Sequence, residues 1–329
     1  MKSAHPIVAA SLALLTAACR TPTPAVPPPP TPPLPTATAI PAVHAVATTS
    51  LVGDVVRAVG GDRVAVAVLI GPDSNPHDYK PTPGDLAKIE QAAIVFENGL
   101  HLEVSLEPLL RSTTARGRRV AVSDGIATIR GAAEQAVVDA AAPLPPGGDA
   151  ATSVVDNPHV WWDPVRVKVW AANIQRALSE ADPAGAAEYA GNAERYVAQL
   201  TTLDAWIREQ TSSIPAARRV LVTDHEVLGY FAAAYGLTVV GAVIPSASTE
   251  AEPSAKALSA LEAAMKARGV TVLFCAETVP SALSERVAAD TGARLVPLYA
   301  EALSGPDGPA STYVAFMRYN VATIVAALR

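Results

Sequence analysis

The chain has only two cysteines in 329 residues, Cys19 and Cys275, too few for a disulfide framework or a four-thiolate zinc cluster. It has no basic cluster beyond "RGRR" at Arg116–Arg119. With a formal net charge of −6, that excludes the electrostatic footprint of a nucleic-acid binder. The one long apolar run, Ile7 to Ala18, is too short to span a bilayer, and no second one follows it. Neither an H-E-x-x-H pair nor a G-x-S-x-G elbow occurs, so two common signatures of hydrolytic centres are missing.

What is present begins with "MKSAHPIVAASLALLTAAC", one Lys followed by an apolar core and small residues, the build of a signal peptide. The "LLTAAC" ending resembles a bacterial lipoprotein signal, in which cleavage leaves Cys19 as the lipid-modified first residue; membrane contact through an anchor at Cys19 is therefore expected. Ten of the 29 prolines fall between Pro22 and Pro41. Such a segment has little apolar surface to bury and favours polyproline II, so residues 20–42 read as a semi-stiff spacer. Cys275 is then left without a cysteine partner.

The body reads as alternating strands and helices. "HAVATT" and "RVAVAVLI" are strands separated by "SLVGDVVRAVGG", whose Leu51, Val55, Val56 and Val59 recur at helical spacing. "TPGDLAKIEQA" carries a capping-box pattern, Thr82 to Asp85, with Pro83 at the first helical position. "AIVFENG" is the next strand. The same order returns after residue 218, with strands "RRVLVT", "LTVVGAVI", "VTVLFCAE" and "RLVPLY" and helices between them, "EVLGYFAAAYG" being the first. Tyr189, Ala193, Tyr196, Leu200, Leu203 and Ile207 step by four and three along 182–213, one apolar stripe on a long helix. The expected fold is α/β: two lobes with parallel-type sheets flanked by helices, joined by one long rigid linking helix. The divisions are 1–19 signal peptide, 20–42 spacer, 43–181 first lobe, 182–213 linking helix and 214–329 second lobe. Residues 140–157 read as an exposed loop.

Two of the six histidines directly follow Asn-Pro, in "NPHDYKPTPGD" (His77) and "NPHVWWDP" (His159). Proline fixes one backbone angle and biases the preceding residue towards extended geometry, which favours a held imidazole. His77 follows one strand and precedes the capped helix; His159 precedes Asp163-Pro164, a cap and first-position pair; His225 follows "RRVLVT" at a helix entrance. Glu301 follows "RLVPLY". In α/β sheets, ligands bind beyond the carboxyl ends of the strands. Three imidazoles and a carboxylate there, two groups from each lobe, suit a divalent transition metal, zinc first by ligand type. Alternatives stand beside these four. His101 in "NGLHLEVSL" can approach the cleft, although a partly buried place at a helix start is the simpler reading. Glu277 closes "VTVLFCAE" and competes with Glu301 as the fourth ligand or serves as a carboxylate steering an imidazole. Asp224, beside His225, suits that steering role too. His44 reads as structural, and Trp161 and Trp162 as packing between lobes.

"NPHDYKPTPGD", "NPHVWWDP", "TDHEVLGYFAAAYGL" and "LYAEALSGPDGPASTYVAFMRYNV" resemble, in order, four signatures of the zinc- and manganese-binding solute-binding lipoproteins of metal ABC transporters (cluster A-I type). The similarity runs from about His44 to Arg329. It implies an extracytoplasmic, lipid-anchored, monomeric receptor that binds one Zn2+ or Mn2+ between its lobes, without catalysis, and delivers it to an ABC permease. By motif, the implied ligands are His77, His159, His225 and Glu301. Two departures bear on that. The last position is more often aspartate in the family, and the loop before the second motif has no histidine where many zinc-importing relatives are rich in it. A zinc-dependent extracytoplasmic hydrolase and a surface adhesin lipoprotein are the rival expectations.

Overall fold

A computed structural model describes residues 43–112, 117–129, 156–249, 252–278 and 282–329, together with Met1. The expected signal peptide with Cys19, the proline-rich spacer and most of the 140–157 loop lie outside the described residues.

The first half runs Val43–Thr49 (β1), Ser50–Gly60 (α1), Val64–Ile70 (β2), Pro83–Gln91 (α2), Ile94–Glu97 (β3), Glu107–Ser112 (α3) and Arg118–Ala121 (β4). Two helices follow, Pro164–Ala181 (α4) and the 27-residue Ala186–Ser212 (α5). The second half runs Val220–Thr223 (β5), Gly229–Tyr235 (α6), Thr238–Ala242 (β6), Ala255–Arg268 (α7), Val272–Ala276 (β7), Ala282–Thr291 (α8), Arg294–Leu298 (β8) and Tyr313–Leu328 (α9). Both sheets are wholly parallel, and their orders correspond: β2-β1-β3-β4 and β6-β5-β7-β8. Each sheet reverses its direction of growth beside its first strand, the place where parallel sheets open a crevice at their carboxyl edge.

Local chemistry sets the helix starts. Thr82 accepts from the Asp85 amide, and the Asp85 carboxylate accepts from the Thr82 amide, the capping box expected from the sequence. Asp163 caps α4 by accepting from Val165 N at 2.9 Å, with Pro164 at the first position. The long helix begins at Ala186 rather than Asp182, because Pro183–Gly185 forms a 3-10 turn. The Asp182 carboxylate there is occupied by Arg63 at 2.6 Å and by the Tyr189 hydroxyl at 2.8 Å. At 27 residues α5 is about 40 Å long. Two described elements were not anticipated. β4 is a four-residue edge strand hidden in the basic "RGRR" stretch. α9 starts at a Thr312 cap within the motif that follows Glu301.

Side chains alternate across each sheet and divide the interior into layers. Ala45, Ala47, Ile94 and Phe96 point inward to one continuous core; Val46 and Val95 point outward to a smaller cluster under α2 and α3. The second sheet repeats this, with Leu221, Phe274 and Val296 inward, and Val222 and Leu273 outward under α7 and α8. Burial on both faces explains why these strands read as apolar runs. The inner faces meet on the α5 stripe, where Tyr189, Tyr196, Leu200, Leu203 and Ile207 join residues of α1, α4 and α9 in the same cluster. Trp162 packs against Phe231 and Phe316, ring centroids 6.1 and 5.3 Å away. The halves thus share a core instead of being tethered by a flexible segment.

Truncating Leu200, which is fully buried on α5, to alanine is expected to cost about 2–5 kcal/mol of stability, measured by chemical denaturation. A loss within about 0.5 kcal/mol, as at exposed positions, would contradict this packing.

Candidate metal centre

Four loops at the carboxyl edges of the two sheets carry the site. His77 lies between β2 and α2, in a loop pinned to the capping box by the Tyr79 hydroxyl, which donates to Asp85 at 2.8 Å. His159 immediately precedes a 3-10 turn, Val160–Trp162, that leads into α4. His225 follows β5 and Glu301 follows β8. All four side chains are buried, and one donor atom from each lies within 4.8 Å of the other three.

The separations suit one ion at the centre. His77 Nε2 and His159 Nε2 are 3.3 Å apart; His159 Nε2 is 3.4 Å from Glu301 Oε1, and His77 Nε2 is 3.6 Å from Oε2. Ligands on a tetrahedral zinc at about 2.1 Å are about 3.4 Å from each other. His225 Nε2 sits closer to the carboxylate, 2.8 Å from Oε1. Glu301 Oε2 is buried with no hydrogen-bond partner, so one lone-pair site of the carboxylate points into the cluster unsatisfied.

Two of the three rings, those of His159 and His225, are oriented from behind. His159 Nδ1 donates to Asn157 Oδ1 at 2.8 Å, and His225 Nδ1 donates to Asp224 Oδ1 at 2.8 Å. With Nδ1 so engaged, both rings turn Nε2 towards the centre. Asp224 is itself fixed, because its Oδ2 accepts from Ala276 N at 2.7 Å. In the two Asn-Pro-His turns the asparagine does more than the proline. Asn75 Oδ1 accepts from His77 N, and Asn157 Oδ1 accepts from His159 N, each at 3.0 Å, an Asx turn that sets the backbone beneath the imidazole. Their amide nitrogens reach the second lobe: Asn75 Nδ2 donates to Thr249 Oγ1 at 3.0 Å, and Asn157 Nδ2 donates to Glu226 O at 2.7 Å. The sequence signal for this was the asparagine two residues ahead of both histidines.

Burial alone pushes the His225 imidazole down, but Asp224 and Glu301 together outweigh it and carry it up to about 10. His159 is driven the other way, to about 4, by burial that Glu301 only partly offsets. Burial opposes ionisation of Glu301, yet the surrounding imidazoles hold it well below the usual carboxylate range. Both shifts favour a proton held between His225 and Glu301, whose facing atoms are 2.8 Å apart.

The structure separates the remaining candidates from this cluster. Glu277 is exposed at the end of β7 and is not a member. His101 is exposed in a turn with φ of +62°, neither partly buried nor at a helix start. His44 is an exposed strand residue near the start of β1, at the opposite end from the cluster. His225 does not open a helix: α6 starts only at Gly229, because the intervening backbone is held by Thr223 Oγ1 donating to His225 O at 2.6 Å and by the Asn157 bond. Trp161 donates to Ala300 O at 3.1 Å and Trp162 packs between the halves, so both serve the interface. Two groups went unnoticed in the sequence. Glu103 is buried and accepts from Thr48 Oγ1, Asn98 N and Gly99 N; Asn98 Nδ2 in turn donates to Pro158 O at 3.2 Å, one residue before His159.

Comparison with known proteins gives a consistent picture. The family model described as zinc-uptake complex component A periplasmic matches residues 45–327. The chain is 32% identical over 293 residues to the zinc-binding protein TroA of Treponema pallidum (strain Nichols), covering 86% of this chain and 88% of that protein. It is 31% identical over 280 residues to the iron-binding protein YfeA of Yersinia pestis (85% and 84% covered), and 30% identical over 290 residues to the manganese-binding lipoprotein MntA of Bacillus subtilis (strain 168), covering 86% and 89%. Among solved structures, the periplasmic zinc-binding protein TroA superposes with a TM-score of 0.75 at 28% identity, covering 87% of this chain and 99% of that one. The Mn-bound periplasmic metal-binding protein of candidatus liberibacter asiaticus gives 0.73 at 25% identity, with 87% and 100% covered.

A cation entering the cluster must displace the proton held at His225. Its binding at pH 7.5 is therefore expected to release about one proton, read as a buffer-dependent heat in calorimetry. Apparent affinity should rise about tenfold per pH unit between 7 and 9, because the competing proton leaves only near pH 10. Affinity flat across that range would contradict the coupling. For the metal-free fold the depressed His159 sets the sign: its unfolded state takes up a proton near pH 6.5, the native state only near 4. Stability should fall as pH drops through that window, as followed by denaturant midpoints.

Proposed function

The chain belongs to the family of zinc-uptake complex component A periplasmic proteins, and from that premise we propose that it is the extracytoplasmic substrate-binding component of a metal ABC importer, with His77, His159, His225 and Glu301 as the ligands of its cargo. The observation that carries this reading is the convergence of three imidazole nitrogens and one carboxylate, all buried, with one donor atom from each within 4.8 Å of the others and the His77, His159 and Glu301 donors 3.3–3.6 Å apart. Three nitrogen donors and one oxygen favour zinc, with manganese next. The relatives' names include zinc-, manganese- and iron-binding proteins.

Function in this family is transport, and a closed four-ligand shell suits it: it holds an ion tightly and offers no open position at which to activate water. Neither the hydrolase nor the adhesin reading gains an observation here. The partners are a membrane permease with its ATPase. The chain acts as a monomer, held at the membrane surface by a lipid on Cys19. No described helix is long and apolar enough to cross a membrane by itself.

Titrating the metal-stripped protein with zinc, then manganese, tests this calorimetrically. One equivalent of zinc should bind tightly, and His159→Ala should weaken it by at least about a hundredfold while leaving the far-UV circular dichroism of the apo protein unchanged. Wild-type affinity in that variant would refute the ligand assignment.

A further inference from the structure

The loops that carry His77 and Glu301 belong to different lobes, yet they are bonded to each other outside the cluster. Asp73 N donates to Leu303 O at 3.0 Å, and Gly305 N donates to Asp73 Oδ2 at 3.2 Å. On the other side of the same segment, Leu303 N donates to Ser50 Oγ at 3.0 Å. Asp73 lies four residues before His77, while Leu303 and Gly305 lie two and four residues after Glu301. Asp73 also has φ of +53°, a left-handed conformation that only glycine adopts without penalty and that aspartate and asparagine tolerate best. Such a backbone persists where the surroundings hold it, and here the amide that this conformation orients is the one bonded to Leu303.

We propose that Asp73 is a positioning residue, a latch between the lobes that sets how fast the cargo leaves. It touches no ligand and acts through the loops it joins. An ion released from the centre must part from ligands on two lobes, which requires the His77 and Glu301 loops to separate. The bonds from Asp73 to Leu303 and Gly305 have to open in that movement. The bond between Asp73 and Gly305 lies at the exposed rim, where water can replace it and the latch can reopen, while Leu303 behind it is buried. Asn75, bonded to both His77 N and Thr249 Oγ1, makes a second attachment of the same loop, buried and less replaceable.

The inference rests on the metal-binding reading, and three variants separate it from that reading. Zinc dissociation is measured by stopped-flow transfer to an excess of chelator, beside zinc association and the thermal midpoint of the apo protein. Asp73→Asn keeps an acceptor oxygen and tolerates positive φ, so it should release zinc at the wild-type rate. Asp73→Gly keeps the backbone freedom but loses the acceptor, and release should quicken about threefold. Asp73→Ala loses the acceptor and disfavours the left-handed backbone, and release should quicken about tenfold or more. Association, and for Asp73→Gly the apo midpoint as well, should stay near wild type, which a merely structural role would not predict. Equal release rates for wild type, Asp73→Gly and Asp73→Ala would overturn the latch while leaving the metal site intact; so would Asp73→Asn releasing as fast as Asp73→Ala. Should Asp73→Ala fail to fold, the comparison of Asp73→Gly with Asp73→Asn decides. A wild-type protein that takes up no zinc would instead overturn the metal-binding reading and the latch with it.

Discussion

Everything in this structure answers to one electrostatic problem: four electron-pair donors, one of them anionic, are packed within 4.8 Å of each other and away from water. Where lone pairs face one another at 3.3–3.6 Å they repel, and in a dry site that repulsion is poorly screened. Positive charge at the centre relieves it. A proton shared by His225 and Glu301 supplies some of that charge, and a divalent cation supplies more while satisfying the orphaned Glu301 Oε2.

Holding such a cluster together requires stiffness, and the fold provides it at three levels. The two sheets have corresponding strand orders, so their carboxyl edges present equivalent loops to a shared centre. Their inner faces share one core across α5, which limits how far the halves can drift apart. Around the ions' place, side-chain bonds cross between halves at Asn75–Thr249, Asn157–Glu226, Ser50–Leu303 and Asp73–Gly305.

Much of this was legible in the sequence, for identifiable reasons. Parallel strands buried on both faces appear as short β-branched runs, and the Thr82–Asp85 box and Asp163-Pro164 pair mark helix starts without ambiguity. The α5 stripe was visible because its apolar residues keep helical spacing over many turns. Helix α9 was hidden within a motif prized for its polar end, and β4 within a run of arginines. At the site, residue type and position gave the candidate donors, with His101 and Glu277 as alternatives, and the family resemblance implied the set of four. Their convergence could not be read, because it depends on contacts between residues as far apart as His77 and Glu301. The same limit concealed the asparagines: proline announced a rigid turn, whereas the bonds that orient each histidine and reach across to the other lobe come from the residue before it. Glu103 could not be read at all, since it acts through Asn98 on the carbonyl of Pro158.

The central claim is that one ion is held by ligands drawn from both halves of the chain. X-ray absorption at the zinc edge on protein loaded with one equivalent tests it most directly. The account predicts a shell of three imidazole nitrogens and carboxylate oxygen at about 2.0–2.2 Å. A shell with fewer than three imidazoles, or one dominated by water oxygens, would contradict it.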